Sequence, residues 1–181
     1  RSSDLNWHIM LKEPSEQQIE QIAQRTDVMA FSRYDGLNFD LSEGYTIKGK
    51  SCVIVGCDNA ILTEIYDNLT EGRYPTKEDE ILLSNHAKEL LSLRIGDAIT
   101  VHTPSGDFDY TISGFGGDVT ITTDADIVGA FLNWDSFQSL AKAEGSKLAP
   151  VCFVRFDENI HIRKVIAELR QTYGRSEERR V

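Results

Sequence analysis

The chain has 181 residues, of which 40% are hydrophobic and 27% are charged, and its formal net charge is −10. This length suits one domain or two small subdomains that share a core, and the composition is typical of a folded, soluble protein. Nucleic-acid binding requires Lys and Arg to displace counterions, so the acidic excess argues against a nucleic-acid partner. The negative charge favours a cationic partner, or serves solubility alone.

No apolar run reaches the roughly 18–20 residues that are needed to span a bilayer. The longest apolar run, residues 127–132, has the length of a strand. No secretory signal opens the chain, and a strand pattern begins only a few residues in. We therefore expect the chain to be a piece of a longer protein.

The first part of the chain predicts strands around one helix. Ser15 followed by Gln18 is a capping-box pattern, and it precedes a helical face of Ile19, Ile22 and Ala23. Asp35-Gly36 predicts a turn. Alternation or short apolar runs predict strands at residues 7–11, 28–34, 37–41, 45–47 and 52–55.

The middle of the chain mixes helices with hairpins. Asp58 predicts the cap of a helix that carries Ile61, Ile65 and Leu69 and ends at Gly72. Residues 72–80 read as a polar loop, and the consecutive carboxylates at 78–80 are expected to point in different directions into solvent. A strand at 81–83, a helix capped by Ser84, a strand at 99–102, a turn at 103–107 and a strand carrying Phe108, Tyr110 and Ile112 follow.

The last third repeats strand and helix. Residues 127–132 predict a buried strand, and Asn133 predicts the cap of the next helix. Residues 151–156 predict another strand, before a helix with apolar positions at Ile162, Val165 and Leu169 that ends at Gly174. Residues 175–181 are mostly charged and are expected to be a tail or linker.

The predicted fold class is mixed α/β, or α+β. The two chain ends, residues 1–57 and 146–174, each carry a β-α element, and together they predict a split β-α-β sandwich. Residues 58–145 predict a separate lobe of hairpins and helices that is inserted between these ends.

The three cysteines do not fix the redox compartment. Cys52 and Cys57 are five residues apart on one strand and face opposite sides, so they cannot easily bridge. We expect buried free thiols at Cys52, Cys57 and Cys152. A Cys52–Cys152 bridge remains open if their strands are neighbours.

The other residues that could act in catalysis or metal binding do not form a recognisable site in the sequence. The histidines His8, His86, His102 and His161 lack the spacing of a zinc pair. Asp124 and Asp126 could offer carboxylates to a metal, but a polar loop is expected there. Gly114, Gly116 and Gly117 are followed by a β-like stretch, which favours a glycine-permitted bend over a phosphate loop. We assign no catalytic, cofactor-binding or metal-binding residue.

One stretch resembles a known family. Residues 72–84, with Gly72, Arg73, Pro75, Glu80 and Ser84, resemble the "G-R-x-P … E-I-x-L-S" stretch of the MacB/FtsX family of ABC transporter permeases. Residues 87–97 are similar to the family's "A … L-G-x-x-x-G-D" run, with Ser92 where the family often has glycine. Residues 110–114 are similar to its "Y-x-V-x-G" element.

The resemblance implies a non-catalytic extracytoplasmic domain of a membrane permease. Such a domain would receive movements from flanking membrane helices, and an ATP-binding subunit in the cytoplasm would drive them. Its partners would be a substrate, an adaptor, a peptide or a cell-wall protein, and the permeases would work as homodimers or heterodimers. This interpretation predicts that both chain ends lie at one side of the fold. The alternatives are a stand-alone hydrolase with a scattered site and a sensor of cationic peptides.

Overall fold

The structure, a computed structural model, describes residues 7–58, 69–116, 126–157, 161–173 and 176–178. These residues form a mixed α+β fold in which four helices pack on one large sheet. The strands are β1 (Ile9–Lys12), β2 (Val28–Leu37), β3 (Thr46–Ile47), β4 (Lys50–Cys57), β5 (Leu69–Gly72), β6 (Glu80–Ser84), β7 (Ala98–Thr103), β8 (Gly106–Gly116), β9 (Val128–Asn133), β10 (Val151–Phe156) and β11 (Ser176–Glu178). The helices are α1 (Glu16–Ala23), α2 (Asn85–Leu91), α3 (Trp134–Ala143) and α4 (Ile162–Tyr173).

The two chain ends build a four-stranded antiparallel sheet, here called the terminal sheet, in the order β11-β1-β10-β2. Helices α1 and α4 pack on one face of it, because every second residue of β1 and β10 is apolar and points to that face. The predicted capping box starts α1: the Gln18 N–H donates to Ser15 Oγ at 3.2 Å. The core of this half consists of Ile9, Leu11, Ile19, Ile22, Cys152, Val154, Phe156, Val165, Ile166 and Leu169.

Six strands close on themselves into a barrel, here called the ring. Their order is β4-β3-β7-β8-β6-β9, and a parallel pairing of β9 with β4 closes it. The ring takes β3 and β4 from the first 57 residues and the other strands from the middle of the chain. The sequence did not predict this closure, and the specific split sandwich is not confirmed. The ring is filled by apolar side chains that include Ile47, Ile54, Ile81, Leu83, Val101, Ile112, Val128 and Ala130.

Strand β2 joins the terminal sheet to the ring. Its first part pairs with β10, and its last residues, from Tyr34 to Leu37, pair with β4. The predicted turn at Asp35-Gly36 is therefore wrong, because both residues continue the strand. The predicted strand at 37–41 is also wrong: after Leu37 the chain turns through left-handed conformations at Asn38 and Leu41.

Two further predictions differ from the structure. The helix expected between Asp58 and Gly72 falls mostly on residues 59–68, which lie outside the described residues. Its expected end is wrong, since Leu69–Gly72 form β5 and pair with β8. Within the expected tail, Ser176–Glu178 form β11, so this part is a strand and not a linker.

Several local predictions are confirmed. Thr103 pairs with Gly106 across a two-residue turn, which is the predicted hairpin. The Asn133 side chain caps α3 by accepting from the Ser136 N–H at 2.8 Å. The longest described helix has 12 residues. None of the helices in the described ranges is long and apolar enough to cross a bilayer.

Candidate functional site

The two ends of the described chain lie next to each other. In the antiparallel β1–β11 pair, Ile9 faces Glu178 and Leu11 faces Ser176. The beginning of β1 and the end of β11 are therefore at the same end of this strand pair. Neighbouring strands are about 5 Å apart. The prediction that both chain ends lie at one side is confirmed for these residues.

The polar loop of residues 72–80 is organised by a buried carboxylate. Glu80 is only 6% exposed, although the sequence analysis expected it in solvent; that expectation is wrong. Its Oε1 accepts from Arg73 Nη1 at 2.8 Å, from the Lys77 N–H at 2.9 Å and from the Thr76 N–H at 3.2 Å. Arg73 Nη2 binds Oε2. These bonds compensate for the desolvation of the charge.

The environment of Glu80 favours its ionised form. The hydrogen bond from Arg73 is the largest cause, and with the backbone donors of Lys77 and Thr76 it lowers the pKa of Glu80 to about 2. Burial opposes this shift but does not cancel it. Arg73 and Glu80, which both belong to the stretch that resembles the permease family, thus form an ion pair. This pair fixes the loop of residues 73–79 against the start of β6. Sequence reasoning missed Glu80 because three consecutive carboxylates look alike.

Two glycines of the same stretch allow close backbone contact. Gly72 has a φ of +72°, a conformation that favours glycine. A Cβ added to Gly114 would lie 2.6 Å from the Arg73 carbonyl oxygen and 2.8 Å from that of Glu71. The pairing register of β6 and β8 shifts beside Gly114, as expected for a bulge. The predicted glycine-permitted bend is confirmed for this position, while Gly117 lies outside the described residues.

Comparisons with solved structures find the same fold in permease domains. The periplasmic region of MacB from Actinobacillus actinomycetemcomitans superposes with a TM-score of 0.64, at 10% identity, over 93% of this chain and 83% of that chain. A domain described as part of a permease from Porphyromonas gingivalis gives a TM-score of 0.57, at 11% identity, over 93% of this chain and 84% of that one. The chain has the fold of the MacB periplasmic region. Neither a family profile nor a curated protein matches the sequence.

In this MacB-like fold, the helix that follows the family-like stretch ends on a non-glycine residue. Ser92 caps α2 in the left-handed region, with φ 53° and ψ 50°, and its N–H donates to the Lys88 carbonyl oxygen. An L-residue pays a steric penalty in this conformation, and glycine does not. Serine at position 92, where the family often has glycine, therefore keeps the turn but in a strained backbone conformation.

The three cysteines of the chain are free and buried, as expected. Cys152 lies on β10 and Cys52 on β4, and β2 separates the two strands, so the possible Cys52–Cys152 bridge is absent. Burial raises the pKa of Cys52 and Cys152 to about 12, and burial also raises the pKa of Cys57. Thiols with such pKa values hold little thiolate at neutral pH and react slowly.

The other candidates lie apart from one another. Asp126 contacts Lys50 Nζ at 3.2 Å, and Asp124 lies outside the described residues. His102 Nδ1 lies 2.8 Å from Asp107 Oδ1 on the exposed face of the β7–β8 hairpin. In the part of the chain that is described, no three His, Cys, Asp or Glu side chains converge as metal ligands. An open cleft on the outer side of α3 is lined by Glu78, Asp135, Gln138, Ser139, Lys142, Ser146 and Leu148.

Proposed function

We propose that this domain is the extracytoplasmic part of an ABC transporter permease and has no catalytic role of its own. It couples movements of the flanking membrane helices to contact with a substrate, an adaptor or a cell-wall partner. The observation that carries the proposal is the direct pairing of β1 with β11. Because the chain enters β1 and leaves β11 at the same end of this strand pair, both flanking segments can run into one membrane.

A continuous path of hydrogen-bonded strands supports mechanical coupling. From the chain ends, β1 pairs with β10, β10 with β2, and β2 with β4 of the ring. Strand β2 has ten residues and belongs to both halves. A displacement applied at β1 or β11 therefore moves the ring through backbone hydrogen bonds and does not pass through a flexible linker.

The proposed partners follow from this arrangement. A cytoplasmic ATP-binding subunit acts on the domain only indirectly, through the membrane helices. Two permeases, identical or different, form the membrane unit. The similarity of fold to the MacB periplasmic region supports a location outside the cytoplasm.

Location is tested by labelling in spheroplasts that carry the full-length parent protein, in which every cysteine outside this domain is replaced by serine. Ser105 is exposed at the β7–β8 turn, whereas the three native thiols are buried, so Ser105→Cys supplies a selectively reactive cysteine. We expect a membrane-impermeant maleimide to label this variant without lysis, and the protein without the substitution to stay unlabelled. Labelling of Ser105→Cys only after lysis would contradict the proposal.

A further inference from the structure

The loop between β2 and β3, residues 38–44 and here called the Phe39 loop, exposes two large apolar side chains. Phe39 is 45% exposed and Leu41 is 37% exposed. Single exposed apolar residues are common on protein surfaces, but here two of them belong to one seven-residue loop.

Hydrogen bonds fix the loop to the ring. Asn38 is 3% exposed, and its Nδ2 donates to the Cys52 carbonyl oxygen at 2.8 Å. The Asn38 N–H donates to Glu43 Oε2 at 2.6 Å, and the Glu43 N–H donates to Asn38 Oδ1 at 2.9 Å. The Leu41 N–H donates to the Asn38 carbonyl oxygen at 3.1 Å. The loop is therefore closed on itself and anchored in the core.

The backbone holds Leu41 in a costly conformation. Its φ is 62°, in the left-handed region that large L-residues rarely adopt. Such strained positions are concentrated at functional sites. The Phe39 ring lies directly over Gly36 of β2, where any Cβ would collide with it. Phe39 is thus a pre-positioned aromatic side chain, of the kind that binds partners at low entropic cost.

Carboxylates lie in and beside the Phe39 loop. The Phe39 loop contains Asp40 and Glu43 and no Lys, Arg or His. The loop lies close to the β7–β8 turn, since a Cβ added to Gly44 would be 4.0 Å from the Pro104 ring. Glu144 accepts from Ser105 Oγ at 3.0 Å, which places a third carboxylate at this end of the ring. Burial raises the pKa of Tyr45, and the charges of Glu144 and Glu43 contribute to the rise.

We propose that the Phe39 loop binds a cationic amphipathic peptide segment of a partner protein. Phe39 and Leu41 contact the apolar face of the segment, and the carboxylates of Asp40, Glu43 and Glu144 attract its Lys and Arg side chains. An acidic rim opposes insertion into anionic lipid, so a membrane surface is the less favoured occupant. The inference goes beyond force transmission, since it does not depend on how the chain ends are attached.

The test uses a fluorescein-labelled amphipathic peptide of Lys and Leu, titrated with the whole domain and followed by fluorescence anisotropy. We expect saturable binding that weakens as salt rises. The Phe39→Ser, Leu41→Ser double variant should bind at least about tenfold more weakly. Met29→Ser is the matched control, because Met29 is a 62% exposed apolar residue at the far end of β2 and should leave binding unchanged. Circular dichroism melts of each variant check that it is folded.

A second variant tests whether the position of the Phe39 ring matters, and not only the residues that the loop contains. Gly36→Ala leaves the Phe39 loop chemically intact but displaces the Phe39 ring, so we expect weaker peptide binding from a folded protein. Absence of binding by the wild type, equal loss in Met29→Ser, or equal binding of a Glu–Leu peptide would overturn the inference. Co-sedimentation with phosphatidylcholine vesicles, or self-association that the double variant abolishes, would overturn it in favour of a membrane or a second copy. These outcomes leave the labelling result for Ser105→Cys unaffected, so the two proposals fail separately.

Discussion

Replacing Glu80 with glutamine keeps the shape of this side chain and removes its charge. The amide oxygen can still accept from the Lys77 and Thr76 N–H groups, but the amide nitrogen then faces Arg73 Nη2, donor against donor. The fall in the Glu80 pKa from 4.5 to about 2 corresponds to roughly 3 kcal/mol. Solvent screens the half-exposed Arg73, so we expect Glu80→Gln to lower the free energy of unfolding by about 1–3 kcal/mol.

The effect of Glu80→Gln depends on pH with a definite sign. Because folding lowers the Glu80 pKa, the stabilisation is fully present above the unfolded value of 4.5 and is lost as pH falls towards about 2. At pH 7 the wild type should therefore melt roughly 3–9 °C above Glu80→Gln. The difference should shrink below about pH 5 and vanish near pH 2.

The measurement is thermal and urea unfolding of three proteins at pH 7, 5 and 3. Glu78→Gln is the matched control, since Glu78 is an exposed carboxylate of the same loop. It should change the unfolding free energy by less than about 0.5 kcal/mol. Equal destabilisation by both substitutions, or a Glu80→Gln effect that stays constant from pH 7 to pH 3, would refute the role assigned to the Glu80 carboxylate.

Three further predictions concern the same fold. Gly114→Ala forces a Cβ against two backbone carbonyl oxygens and should cost about 1–3 kcal/mol in urea unfolding; an unchanged midpoint would mean that β5 and β8 separate freely. Ser92→Gly removes the left-handed strain at the end of α2 and should stabilise the domain by about 0.5–1 kcal/mol, and a lower melting temperature would contradict this. The thiols of Cys52, Cys57 and Cys152 should react with a maleimide at pH 8 only after unfolding in guanidinium; fast reaction of the folded protein would show that they are accessible.

Local signals in the sequence predicted local structure well. The Ser15–Gln18 pair and Asn133 cap their helices because side-chain oxygens near a helix start satisfy free N–H groups whatever the fold around them. The turn before Gly106 forms because proline fixes one backbone angle and glycine tolerates a positive φ, whatever the fold around them. The resemblance at residues 72–84 led to the MacB-like fold that the structure comparisons find.

Features that depend on distant parts of the chain could not be predicted. The ring closes through the parallel β4–β9 pair, which joins residues more than 70 positions apart and leaves no local pattern. Alternation at 37–41 was misread as a strand because Asn38 instead uses its side chain to bind the Cys52 carbonyl oxygen. Glu80 differs from Glu78 and Asp79 only through the fold, which brings it against Arg73.

The proposed function requires that the domain moves as one body with the membrane segments proposed to hold its ends. The most direct measurement is fluorescence energy transfer in the full-length parent protein, reconstituted in liposomes with the proposed ATP-binding subunit. Dyes on Gln17→Cys of α1 and Ser105→Cys of the ring should keep a constant mutual distance when ATP is added, because a continuous sheet joins their elements. Transfer from Ser105→Cys to a dye on lipid headgroups should change under the same conditions. A changing distance between the two protein sites, with a constant distance from Ser105→Cys to the membrane, would contradict the account.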